Sequence, residues 1–173
     1  VAPNAIETTA RILTALKDAN GRIKIPGLYE SVKPPSKAEL AGWKKLPFDR
    51  RTYLKQQVTA KALTGLQKYS IHERLWALPT FEIHGIRGGF VGEGAKTVIP
   101  CQAVAKVSLR LVPGQSSAKV YRQLAQAVKR VAPAWADVKV CPLNAGEPVQ
   151  VKVDAPAFRV LDRAFQEVVG TPT

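Results

Sequence analysis

From position 3 to 18, apolar side chains return every three or four residues. Ile6, Ala10, Leu13 and Leu16 form one stripe, which predicts an amphipathic helix with Pro3 in its first turn and Asn20–Gly21 as its stop. Periodicity then lapses for almost sixty residues. It returns as alternation: "TFEIHGIR", residues 80–87, reads as a strand, and "QAVAKVSLRLV" as a second. In the second strand Ala103, Ala105, Val107, Leu109 and Leu111 point one way, and Lys106, Ser108 and Arg110 the other. Pro113 and Gly114 turn the chain. Ser116 or Ser117 caps a second helix, whose core face is Val120, Leu124, Val128 and Val131, with Tyr121 and Ala127 beside them. Pro133 ends it, "DVKVCPL" reads as a short strand, "EPVQVKV" as an extended link, and residues 156–169 as a last helix.

The aperiodic stretch, residues 21–79, is basic and proline-containing and reads as an insertion. It holds "GRIKIPGLY", the loop-like "KPPSK" and an expected helix from Arg50 to Tyr69, with Trp43, Phe48, Tyr53 and Trp76 as anchors. The order helix, insertion, strand, strand, helix, strand implies an α+β fold. It fits a ferredoxin-like two-layer sandwich, an antiparallel sheet with helices on one face, that lacks its first strand and carries a long helical insertion. The first strand of that topology is central, so its absence predicts exposed strand edges.

Composition narrows the picture further. The 173 residues suit one domain with an appendage, and a hydrophobic fraction of 46% suffices for a core. Twenty-six Lys and Arg against 13 Asp and Glu give a net charge of +13, which raises nucleic acid or an acidic partner as candidates. Cys101 and Cys141 lie in no C-x-x-C pair, so they are expected to be free thiols in a reducing compartment, the alternative being one cross-strand disulfide. No apolar run reaches membrane-span length, no signal peptide is visible, and a cytoplasmic location is expected. The chain starts without Met and ends in an amphipathic helix, which suggests a piece of a longer protein.

"GGFVGEGAKTVIP", residues 88–100, imitates a phosphate loop, but Ala95 separates Gly94 from Lys96, and the residues after Thr97 alternate like a strand. A phosphate loop needs lysine directly after its last glycine and a helix behind it. These glycines are therefore expected to supply positive backbone angles and close approach in a strand-to-strand connection. His72 and His84 have no second histidine or carboxylate at ligand spacing and read as structural.

Three segments together carry a family resemblance: "GRIKIPGLYESV", "LWALPTFEIHGIRGGFVGEGAKTVIPCQAVAKVSLRLVPGQ" and "GEPVQVKVDAPAFRVLDRAFQEVVGTPT". They resemble the carnosinase-type dipeptidases of the di-zinc metallopeptidase family M-twenty, most specifically from Leu75 to Gln115. The resemblance implies a lid, or dimerisation, domain at residues 1–20 and 80–145, the insertion at 21–79, and at 146–173 a link with the first helix of the returning catalytic domain. It implies a homodimer through the first helix and the 80–87 strand. Thr97 of "GAKTVIP" and Arg110 of "SLRLVP" would contact substrate from the lid in the partner's active site. Arg110 would clamp the substrate's C-terminal carboxylate, a task that suits a planar guanidinium; read from alternation alone it is a solvated strand arginine. The family's lid histidine belongs to a motif upstream of Val1 and does not map to His84.

The family's metal ligands map nowhere in this chain, so the two zinc ions are expected in the parent enzyme and none in this fragment, which alone should be inactive. The substrate implied is a dipeptide or small amide with a free carboxylate. Rival readings are a basic nucleic-acid-binding α+β module and a purely structural oligomerisation domain. The strands lack the aromatic pattern that stacks bases, and the basic residues form no single stripe, which makes nucleic acid the weaker candidate.

Overall fold

The computed structural model describes residues 2–151 and 155–170. Helix α1 (Ala5–Leu16) is started by Asn4, whose Oδ1 accepts from the amides of Ile6 and Glu7 at 2.9 and 3.2 Å. The helix thus begins two residues after Pro3. Its buried residues are Ile12, Leu13 and Leu16, whereas Ala10 is exposed and Ile6 only half-buried. Ile12 therefore replaces Ala10 on the core face.

Residues 21–29, which open the aperiodic stretch, fold back under this helix. Lys24 N bonds to Leu16 O at 2.7 Å, and Ile23, Ile25 and Leu28 are buried. Residues 33–76 then form short elements: α2 (Lys37–Lys45), α3 (Arg50–Thr52) running into a π-helical turn (Tyr53–Val58), and α4 (Ile71–Trp76). The helix expected over 50–69 stops early. Thr59 adopts φ +52° and Gly65 φ +94°, left-handed conformations that no right-handed helix contains. Capping boxes start α2 and α4 instead: Ser36 with Glu39, and Ser70 with Glu73. The expected aromatic anchors do meet. Trp43 and Trp76 lie 5.4 Å apart, Phe48 and Tyr53 5.3 Å, and His72 stacks on Trp76 at 4.8 Å while meeting Phe48 edge-on at 5.8 Å.

Strands β1 (Thr80–Gly88) and β2 (Ala103–Arg110) form a two-stranded antiparallel sheet. Exposure alternates along β2 as its sequence predicts, with Ala103, Ala105, Val107 and Leu109 turned inward. In the connection between the strands Gly89 and Gly94 have positive φ. A Cβ on Gly88 would sit 2.9 Å from Gln102 O, so the close approach needs glycine too.

Helix α5 (Ser117–Val131) buries Val120, Leu124, Ala127 and Val128, while Val131 at its end is 37% exposed. No Ser116 side chain caps it; the Glu147 carboxylate accepts from the Ser117 amide and hydroxyl. α1, the 23–28 segment, Phe81 and α5 make one core, against which Ala105, Val107, Leu109 and Leu111 pack. The result is α+β, with helices on one sheet face.

Two expectations fail or fall outside view. "DVKVCPL" is not a strand: Val140 packs against the core and its carbonyl accepts from Tyr121 Oη at 3.0 Å, but among the described residues no strand pairs with it. Alternation can mark an inward face, but a strand also needs a neighbour to complete its hydrogen bonds. "EPVQVKV" has no regular structure up to Val151, and its remainder lies outside the described residues. Helix α6 (Pro156–Val169) forms where expected, but Val160, Leu161, Phe165, Val168 and Val169 are exposed along it. Both cysteines are exposed free thiols, and no described helix is long and apolar enough to cross a membrane.

Candidate functional site

The hairpin carries the chemistry, and its register decides which side chains appear where. Phe81 faces Leu109, Ile83 faces Val107 and Ile86 faces Ala105. These apolar pairs stay together because the ladder skips one residue between Ile83 and Gly85. His84 is the extra residue of a β-bulge, and the bulge lets Ile86 rejoin the apolar face after the phase change. Cross-strand partners share a face, so Thr80 with Arg110 and Glu82 with Ser108 lie on the side away from the helices.

Arg110 is exposed and forms the last rung of the ladder, opposite Thr80. Among the described residues its guanidinium has no hydrogen bond or ion pair. An unengaged planar donor on an ordered strand can take an oxyanion through two parallel bonds. The nearby acid, Glu82, is engaged by Lys17, whose Nζ lies 3.5 Å from Glu82 Oε1 and donates to Phe81 O at 2.9 Å.

Thr97 is exposed in the connection between the strands. Pro100 O, three residues on, accepts from Ala5 N at 3.0 Å and ties that loop to the start of α1. Lys96 Nζ lies over the Phe90 ring at 5.8 Å. From Ala103, where this loop re-enters the ladder, to Arg110 is seven strand steps, or about 23 Å. The structure therefore sets Thr97 and Arg110 at opposite ends of the hairpin.

His84 stands where alternation alone did not place it. Its Nε2 and the Ser108 hydroxyl share a hydrogen bond of 2.6 Å on the open face. His72 sits in the aromatic cluster of the insertion. Among the described residues no three His, Cys, Asp or Glu side chains gather as a metal-binding group.

The outer edge of β1 is a second feature. Among the described residues no strand besides β2 pairs with this nine-residue strand, so its far side is free of a strand partner, with the Phe81 carbonyl taken by Lys17. Ile83 and Ile86, which belong to the apolar face, are 47% and 49% exposed there. An open edge beside exposed isoleucines is a template for another strand.

Known proteins share this hairpin and the elements around it. A family profile described as "Peptidase dimerisation domain" (M20_dimer) matches residues 1–136. Beta-Ala-His dipeptidase of Homo sapiens is 31% identical over 163 residues, covering 92% of this chain and 32% of the relative. The chain thus spans about a third of that relative's length. Among solved structures, the M20 family metallo-carboxypeptidase Sso-CP2 of Sulfolobus solfataricus superposes with a TM-score of 0.83 at 27% identity, covering 99% of this chain and 44% of that one. Human carnosine dipeptidase 1 gives a TM-score of 0.83 at 26% identity, with coverages of 99% and 37%.

Proposed function

The chain belongs to the M20 peptidase dimerisation-domain family, and from that premise we propose that it is the lid and dimerisation region of a longer dipeptide-hydrolysing metalloenzyme. In this reading residues 1–20 and 80–145 form the lid, 21–79 its insertion, and 146–173 the link and first helix of a returning catalytic domain. The exposed apolar residues of α6 support that last assignment, since an amphipathic helix needs a surface to cover its apolar side. The two zinc ions of such an enzyme would be held by residues of its catalytic part. Two exposed free thiols suit a reducing compartment such as the cytoplasm.

The lid would do two things. The open edge of β1, with Ile83 and Ile86, meets the same edge of a second copy across a two-fold axis, giving a homodimer. Arg110 grips the C-terminal carboxylate of a dipeptide, and the Thr97 hydroxyl offers a further contact from the loop. Because these two residues sit at opposite ends of the hairpin, in a dimer they need not serve the same active site.

The observation that carries the substrate reading is the unengaged Arg110 guanidinium on the open face, at the end of the ladder. Its test is kinetic. In the full-length enzyme, Arg110→Ala should lower kcat/KM for a free dipeptide about 10- to 100-fold through KM, the range for hydrogen bonds to a charged group. The C-terminal amide of the same dipeptide should be hydrolysed as before. Equal kcat/KM for free and amidated substrate in the unsubstituted enzyme would remove the clamp.

A further inference from the structure

We infer that His84 and Ser108 are a positioning pair for Arg110. The inference rests on the carboxylate role proposed for Arg110 and goes one step beyond it. Arg110 stands on the final rung of a two-stranded ribbon, and only three rungs separate it from the bulge: Phe81 with Leu109, Glu82 with Ser108, and Ile83 with Val107. On the helix side this short segment is anchored by Phe81, which is 1% exposed. On the open face its cross-strand tie is the 2.6 Å bond between Ser108 and His84.

A two-stranded ribbon depends on what holds its two faces, and on the helix side the chain is held again just past Arg110 by buried Val112, whose amide donates to Gln115 Oε1 at 2.9 Å. A guanidinium that grips a carboxylate through two bonds must be held to within about half an ångström, and an arginine whose rung is tied on the helix side alone loses affinity to the cost of ordering itself. Ser108 is two residues before Arg110 on β2 and shares its face. The bulge brings His84 onto that face, as bulges near functional sites re-aim a side chain. The imidazole then spans the ribbon to Ser108. Its bond closes the open face next to the rung that presents Arg110, where Arg110 itself makes no tie among the described residues.

The test uses the full-length enzyme and compares Arg110→Ala, His84→Ala, Ser108→Val and Ser108→Thr. Valine and threonine have nearly the same shape and are both β-branched, so the last two variants differ in the hydroxyl alone. KM and kcat are measured for a free dipeptide and for its C-terminal amide. Ser108→Val and His84→Ala should each raise KM for the free dipeptide about three- to tenfold, as expected for one hydrogen bond. Their kcat should stay within about twofold and their amide kinetics should not move, while Ser108→Thr should match the unsubstituted enzyme. If Ser108→Val and Ser108→Thr behave alike while Arg110→Ala still abolishes the preference for a free carboxylate, the positioning role is wrong and the carboxylate role stands. If Arg110→Ala leaves the ratio of dipeptide to amide unchanged, the carboxylate role fails and the positioning role falls with it.

Discussion

Residues 5–28 and 80–131 supply all the buried apolar side chains of the described core, whereas residues 33–76 supply none. The first region is held by contacts between segments far apart in sequence: α1 against α5, Phe81 beneath them, and Gln115 bridging Val112 N and Leu28 O at 2.9 and 2.8 Å. The second is held at half-buried and exposed positions, with no residue fully buried. Ser36, Asp49 and Ser70 cap their own helices, and half-exposed rings join the two ends of the stretch, Trp43 to Trp76 and Phe48 to His72. One tight approach joins the regions, where a Cβ on Gly21 would come 2.7 Å from Gly65 Cα. Burial of apolar area makes a cooperative unit, while caps and exposed rings make locally stable pieces. The hairpin that carries Arg110, His84 and the open β1 edge belongs to the cooperative region, which is where precise placement is achievable.

Phe81→Ala should have the largest effect. Emptying a fully buried aromatic site costs about 3–5 kcal/mol, and the urea midpoint of the lid amides should fall accordingly. Hydrogen exchange at α2 and α4 should change little. Equal loss of protection in both regions would abolish the contrast.

Ser36→Ala and Ser70→Ala should act the other way, each costing about 1 kcal/mol. Faster exchange should be confined to the first turns of α2 and α4, with the lid midpoint unmoved. A shift of the lid midpoint by that amount would show that the insertion is part of the core unit.

The smallest effect is pH. The Ser36 backbone and hydroxyl hold the Glu39 carboxyl below the usual glutamate value, and the Ser70 hydroxyl and backbone do the same for Glu73. A lowered folded pKa adds stability that is fully present above the ordinary glutamate value and is lost as pH falls through the lowered one. Both carboxylates are near the surface, so the gain is small. Acidification should therefore loosen α2 and α4 before it loosens the lid, as amide exchange across that range would record.

Much of this contrast is legible in the residues. Alternation along "AVAKVSLR" gives the face of Arg110 correctly, because a half-buried strand has a strict period of two. The bulge was missed by reading 80–87 as a plain strand, although its signal is present: Phe81 and Ile83 share one phase and Ile86 the other, and an extra residue lets all three reach one face. The Ser-x-x-Glu spacings at 36–39 and 70–73 mark helix starts as clearly as any periodicity.

Other features were not legible. Ile12 takes the core position expected of Ala10 because neighbouring segments choose the buried arc of a helix. The segment "DVKVCPL" has the pattern of a strand without a partner to bond. The Ser108–His84 bond depends on a bulge that turns one side chain across the ribbon, and composition carries no trace of that.

Whether two copies meet along the open edge of β1 can be read from sedimentation. The protein carrying this chain should sediment at twice its chain mass. Ile83→Lys with Ile86→Lys, changes at half-exposed positions that place two charges on that edge, should sediment as a folded monomer. A monomer before substitution, or a dimer that survives both lysines, would show that two copies do not meet along this edge.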